Sequence, residues 1–215
     1  MIRLRHNKIE LALHELRPGA GRPLLLLHGL GERSPECVPP ELAGWPGPVF
    51  ALDLTGHGAS TVPRGGGYTA EILMADADTA LQKLGSATLV GRGLGAYVAL
   101  LLAGGRPHQV RGAILRDGPG LAGGGSGATS ACIPHVDAHA PAPPDPFALA
   151  ELSRDIRPRD YAAVFARQAT QRSGLDPALF VCALERPDWM AAVCEEVGVE
   201  VSALPAALAA CASIP

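Results

Sequence analysis

Aromatic side chains make up only 4% of this 215-residue chain, too few for the stacking platforms that hold single-stranded nucleic acid. An excess of either charge is missing as well. Eighteen basic and 21 acidic residues leave a formal net charge of −3 and a pI near 6.1, which gives no electrostatic basis for binding nucleic acid or an anionic membrane. The arginines, among them Arg3, Arg5, Arg92, Arg154, Arg157 and Arg159, are scattered as on a solvated surface. Apolar stretches such as Ala96 to Gly104 fall well short of a membrane span. The N-terminal MIRLRHNKIE lacks the continuous apolar core of a secretory leader, so a cytoplasmic protein is expected. The five cysteines, Cys37, Cys132, Cys182, Cys194 and Cys211, are odd in number and contain no Cys-x-x-Cys pair. They read as reduced thiols rather than a zinc or disulfide framework. No cluster of metal ligands is visible, and no metal or cofactor is expected.

What is present is a 47% hydrophobic chain of a length that suits one domain, 1–215, with a sizeable core. Short apolar runs alternate with helical stripes, the pattern of a mostly parallel sheet. Residues 2–5 and 9–16 read as antiparallel-type strands, the second with Ile9, Leu11 and Leu13 alternating against polar neighbours. Continuous apolar runs at 23–27 and 48–54 suit strands buried on both faces. Residues 69–85 carry Leu73, Ala77, Ala80, Leu81 and Leu84 on one helical face, with Thr69 placed to cap and Gly85 to stop the helix. A strand at 87–90, a helix at 94–103 and a strand at 110–116 follow. Residues 118–146, crowded with Gly, Pro, Ala and Ser, read as a long surface excursion whose Leu121, Ile133, Pro134 and Val136 hint at an apolar pocket mouth. Helices at 146–155 and 159–173, a strand at 179–184, a helix at 188–197, a strand at 199–204 and a short helix at 205–213 with proline at its start complete the reading.

Three segments carry chemistry. Leu24 to Gly31 (LLLLHGLG) is a buried strand ending in His28-Gly29. Val49 to Ser60 (VFALDLTGHGAS) is a second strand ending in an Asp-x-x-Gly-His-Gly turn. Ala87 to Leu100 (ATLVGRGLGAYVAL) is a strand, a glycine-rich turn and a helix. In register along a β-α alternation, they resemble the α/β-hydrolase family over residues 1–117, with Tyr68, Asp76 and Asp78 in familiar places; beyond 117 the resemblance is topological. It implies a doubly wound, mostly parallel sheet with helices on both faces and a reduced lid at 118–175. In that family the glycine-rich turn is Gly-x-Ser-x-Gly, with the serine as nucleophile.

Here Gly91, Arg92, Gly93, Leu94 and Gly95 fill the five positions, so Gly93 stands where the serine would be. The resemblance places the general-base histidine after the last strand, but all seven histidines lie at or before His139. Candidate acids are Asp117 and Asp188, although Asp188 also reads as a helix N-cap and Asp117 as a residue bonding backbone within its Gly-Pro-Gly turn. By resemblance the Leu30 and Leu94 N–H groups form an oxyanion donor pair, with His28 and Gly29 shaping the loop and Asp53 and His57 bracing their turn. Gly93 leaves space for about one water.

The first reading is therefore a degenerate hydrolase, a sensor, carrier or partner subunit that binds a small apolar carbonyl or carboxylate ligand without turning it over. A second is a serine-free enzyme using a water above Gly93, with His28, His135, His139 or a carboxylate as base; Cys37 is a weak substitute nucleophile. A third is a dinucleotide (NAD or FAD) binder through Gly91-x-Gly93-x-x-Ala96 with Asp117 on the ribose. That fingerprint normally belongs to the first strand of its unit, and several strands precede it here.

Overall fold

The computed structural model describes residues 1–124, 142–153 and 157–214. Among these, eight strands form one sheet: β1 (Ile2–His6), β2 (Ile9–Arg17), β3 (Leu24–Leu27), β4 (Val49–Asp53), β5 (Ala87–Arg92), β6 (Val110–Arg116), β7 (Leu179–Cys182) and β8 (Val199–Val201). Their order is β1-β2-β4-β3-β5-β6-β7-β8. The β1–β2 and β2–β4 pairs are antiparallel and the others parallel, the doubly wound α/β arrangement read from the sequence.

Six α-helices accompany it: α1 (Ala70–Leu84), α2 (Leu94–Gly105), α3 (Pro146–Leu152), α4 (Arg159–Arg172), α5 (Asp188–Cys194) and α6 (Leu204–Ser213). The Thr69 side chain accepts from Ile72 N and Gly85 closes α1 at φ 81°, a capped start and a left-handed stop. The strand at 199–204 proves shorter, ending at Val201, and the helix expected over 188–197 ends at Cys194.

Because strand side chains alternate, the sheet splits its leucines between two cores. Leu25, Leu27, Leu52, Leu89 and Leu115 pack with α1, α2, α4 and α5. Leu24, Leu26, Ala51, Val90 and Ile114 pack with α6, Leu42 and Trp45. The connection from β3 to β4 differs from the other parallel crossovers. It contains Pro35, Pro39, Pro40, Pro46 and Pro48 and forms only one 3-10 turn, Pro40–Leu42, since proline inside an α-helix removes a donor and clashes with the preceding turn. Cover on the α6 face is correspondingly thin there.

The segment expected as a lid, 118–175, divides. Ala162, Ala166 and Ala169 of α4 lie in the core with α2, so α4 belongs to the helix layer and only α3 sits near the strand ends. Residues 118–124 are not a surface excursion either. Leu121 is 1% exposed, and the loop dips into the molecule.

Candidate active site

The loops that follow β3, β5 and β6 meet at the carboxyl edge of the sheet, where ligands bind in open α/β folds. The elbow between β5 and α2 is built on close backbone approach. A Cβ on Gly95 would strike the carbonyls of Leu27 and His28, and one on Gly91 the backbone of Gly95 and Ala96. Gly93 sits at the apex with φ 53° and ψ −115° as the N-cap of α2, a conformation that costs an L-residue about 1–3 kcal/mol.

The space above Gly93 is filled. The carbonyl of Pro119, just after β6, accepts from both Leu30 N and Leu94 N at 2.9 Å each. These are the two donors named from the sequence, and they converge on one oxygen that belongs to the chain itself. A Cβ on Gly93 would collide with that oxygen and with the carbonyl carbon of Gly118; a Cβ on Gly29 would meet the Pro119 ring. The room for a water expected above Gly93 is thus taken up by Gly118 and Pro119. The loop is pinned on its far side as well. Gly120 and Gly123 exchange N–H···O bonds (3.2 and 3.0 Å), and Leu121 N donates to Leu152 O. The central residues of that turn, Leu121 (φ 48°) and Ala122 (φ 62°), are both left-handed without being glycine, which makes it a type I′ turn written in strained residues.

The histidines beside the site are committed. Leu54 N donates to His28 Nε2 (3.1 Å), so the ring proton is on Nδ1, which donates to Gly29 O (2.8 Å). His57 repeats the scheme, with Gly31 N donating to Nε2 (3.1 Å) and Nδ1 donating to Thr55 O (3.1 Å). The rings lie 4.9 Å apart. Burial pushes both below the ordinary imidazole value. For His57 burial and then the neighbouring His28 bring it to about 3. Both are neutral braces of the loop after β3, and His28 has no nitrogen left to serve as a base. Asp53 braces the same region, accepting from Ser34 N (2.7 Å), Ala59 N (2.8 Å) and His14 Nε2 (2.9 Å). Burial alone would raise its carboxyl, but these donors hold it below the usual range.

The acids fare differently from the sequence reading. Asp188 is the first residue of α5, whose N-cap is Pro187 with no side-chain cap bond, so it does not cap. The Asp117 carboxylate accepts from Leu184 N (3.2 Å) and Glu185 N (3.5 Å); it ties β6 to the loop after β7 rather than to its own turn. Its oxygen is therefore committed to protein backbone, and Gly118 and Pro119 stand where a pyrophosphate would approach Gly93, which removes the support for the dinucleotide reading. Cys37 is exposed. His135, His139, Ile133, Pro134 and Val136 lie outside the described residues. Among the described residues no three His, Cys, Asp or Glu side chains are grouped to hold a metal, and no helix is long and apolar enough to cross a membrane.

Sequence reasoning missed three participants. The first is Pro119, whose signal, Gly118-Pro119-Gly120 directly after a strand, is one of backbone freedom near a vacant apex. The others are Glu32 and Arg92. Glu32 accepts from Gly29 N (2.9 Å) and pairs with Arg92 Nε (2.9 and 3.0 Å), joining the loop after β3 to the elbow.

Comparisons with known proteins fit this geometry. The family described as alpha/beta hydrolase fold matches residues 22–174. Among solved structures, the N-formylmaleamic acid deformylase of Pseudomonas putida S16 superposes with a TM-score of 0.64 at 15% identity, covering 94% of this chain and 91% of its own. The thioesterase domain from the curacin biosynthetic pathway gives 0.63 at 18%, covering 99% and 97%. Epoxide hydrolase A of Mycobacterium thermoresistibile is 25% identical over 55% of this chain and 39% of its own length, with a TM-score of 0.47, so the matched part spans well under half of that enzyme. No curated protein matches the sequence closely enough to count as a relative. The sheet order, the elbow between β5 and α2, and a family match across most of the chain lead to one conclusion: the chain belongs to the α/β-hydrolase fold family.

Proposed function

We propose that this chain is a non-catalytic member of its family, a binding or accessory protein that has kept the elbow as a structural joint. One observation carries the reading: the Pro119 carbonyl fills both oxyanion donors above a glycine. A substrate carbonyl would have to displace an acceptor that is already satisfied and covalently tethered, gaining no net hydrogen bond while still losing its own freedom. No side chain at position 93 attacks, and the imidazoles beside the elbow, His28 and His57, have both nitrogens engaged. The same occupancy weighs against a water-based mechanism, because the polarising donors face the protein's own oxygen.

The ligand class that fits is a small apolar carbonyl or carboxylate compound, with no nucleic acid or membrane surface as partner. A cytoplasmic setting accords with the free thiols among the described residues, Cys37, Cys182, Cys194 and Cys211.

The test is turnover of a short-chain activated ester and a thioester by the purified protein beside Gly93→Ala and Gly93→Ser. All three should match the buffer rate. Turnover by the natural protein above the buffer rate would overturn the reading, and ester hydrolysis gained only in Gly93→Ser would remove the observation behind it, because the donors would then be open to a substrate.

A further inference from the structure

The elbow face is closed, but the other face of the same strand ends is open. The connection between β3 and β4, with one 3-10 turn and no α-helix, leaves a cavity of about 260 Å³ at the carboxyl ends of β3, β4, β5 and β6. Its floor is apolar (Leu26, Ala51 and Val90), and Leu42 helps to cover it. Its mouth carries charge of an unusual kind. Arg92 and Arg116 are register partners on the adjacent parallel strands β5 and β6, and by the period of two they share the face of Val90 and Ile114. Like charges directly opposite one another on a sheet are unfavourable, and here each is offset by a carboxylate from the β3–β4 connection.

Each guanidinium has one carboxylate partner: Arg92 meets Glu32 at 2.9 Å, and Arg116 meets Glu41 at 3.2 Å. These bonds use Arg92 Nε and Arg116 Nη1; the other N–H groups of both heads make no hydrogen bond among the described residues. The Glu41 carboxyl is held below its ordinary range, first by its own backbone N–H, against an opposing push from burial, and then by Arg116 and Arg92. Both guanidiniums therefore act at one place. Arg33 also lines the cavity but is paired with Glu36 at 3.3 Å, so what the mouth offers a ligand is the spare N–H donors of Arg92 and Arg116.

We propose that this cavity is a binding site for a small carboxylic acid with an apolar body, its carboxylate held between Arg92 and Arg116 and its body laid on Leu26, Ala51 and Val90. The inference rests on the reading of the chain as a binding protein and locates the ligand away from the closed elbow. The carboxylate follows from forked donors on two heads and the apolar body from the floor. The size follows from a volume below the ~300 Å³ at which pockets for drug-sized ligands begin. Neither inorganic phosphate, which has no apolar part, nor a neutral amide, which has no charge, satisfies both halves.

The test is titration of the full chain with hexanoate, followed by methyl resonances of Leu26, Ala51 and Val90 and by calorimetry. Hexanamide and inorganic phosphate serve as matched probes. Saturable binding is expected at the cavity methyls, weakened roughly tenfold or more by Arg116→Gln and by Arg92→Gln, with both matched probes at least as much weaker. Val90→Phe, which fills the floor without touching a charge, should abolish binding in a protein whose unfolding transition is retained.

Phosphate binding as tightly as hexanoate would overturn the proposal. So would shifts centred on the Leu30, Leu94 and Gly120 amides, or the absence of saturation below ~10 mM in folded protein. Ester turnover measured on the same samples keeps the two readings apart. Turnover with intact hexanoate binding removes the non-catalytic reading and leaves the site. Neither turnover nor binding removes the site and leaves non-catalysis.

Discussion

Where β3 and β5 end, the face carrying α2 holds Leu30, Gly93 and Leu94 beneath the Pro119 carbonyl, whereas the face carrying α6 holds Leu26, Val90 and Arg92 around open space. The same two strands supply both sides, and each side has space that a side chain or helix could fill. On the α2 face the apex is a bare glycine, and the loop after β6 fills the space above it with the Pro119 carbonyl, which accepts from Leu30 N and Leu94 N. On the α6 face the crossover helix is missing, and proline keeps the replacement from coiling over the gap. A small void beside backbone donors closes, because an intramolecular carbonyl satisfies them at little cost. A void beside guanidiniums persists, because their charge is balanced only by carboxylates on the rim. Space at a sheet edge thus has opposite fates according to the polarity of its walls.

Gly93→Ser breaks the comparison most severely. The new residue must accept φ near 53°, worth about 1–3 kcal/mol, and its Cβ must push back Gly118 and Pro119, worth about 1–3 kcal/mol more. A loss of about 2–6 kcal/mol in urea unfolding is expected, together with faster amide exchange at Leu30 and Leu94 as their shared acceptor retreats. Unchanged stability with protected amides would mean that the loop does not occupy the apex.

This vacancy also marks the limit of what the sequence discloses. The strand and helix pattern, the Thr69 cap, the Gly85 stop and the three glycine-bearing turns are local features, and the structure has them within a few residues of their expected ends. The Leu30 and Leu94 donors could be named because an elbow and a His-Gly loop each dictate where one N–H points. What fills them could not, because Pro119 lies 89 and 25 residues away from them in the chain and reaches them only through the β5–β6 pairing. The facing of Arg92 and Arg116 was hidden for the same reason, since strand register is not written in either strand alone. Asp188 misled because an aspartate at a helix start resembles a cap, while Pro187, with its fixed φ, took that position.

Acid tests the joint between the two faces. His57 and His28 hold the loop after β3 through unprotonated Nε2 atoms, so protonation must break N–H···N bonds to Gly31 and Leu54. For His57 the folded value, about 3, lies below the unfolded one, so the unfolded chain takes the proton first. Stability is full above pH ~6.5 and falls as the pH drops from there towards 3, by about 2 kcal/mol at pH 5 for this one group. His28 is shifted in the same direction and adds to the loss. Asp53, with a lowered carboxyl, contributes above pH ~4 and is silent in this window. Asp76, raised by burial ahead of its bonds to Thr55 and His6, works the opposite way. The comparison is therefore between the natural chain and His57→Asn: urea midpoints from pH 7 to 5 should fall less steeply in the variant. Identical slopes would show that His57 is not held neutral.

The smallest expected effect bears on how firmly the closed face is shut. Leu121 and Ala122 occupy the centre of a type I′ turn in left-handed conformations, and that turn fixes the loop whose carbonyl fills the donors. A left-handed L-residue costs about 1–2 kcal/mol, which a glycine in place of Ala122 would avoid; the greater freedom of glycine in the unfolded chain returns about 0.5–1 kcal/mol of that gain. Ala122→Gly should therefore stabilise the protein by about 0.5–1 kcal/mol and leave hexanoate binding on the opposite face unchanged. A loss of stability would mean that the turn does not hold Ala122 left-handed, and with it the seating of Pro119 would have to be redrawn. A gain in stability accompanied by tighter hexanoate binding would show that the two faces are coupled through Arg92, the residue they share.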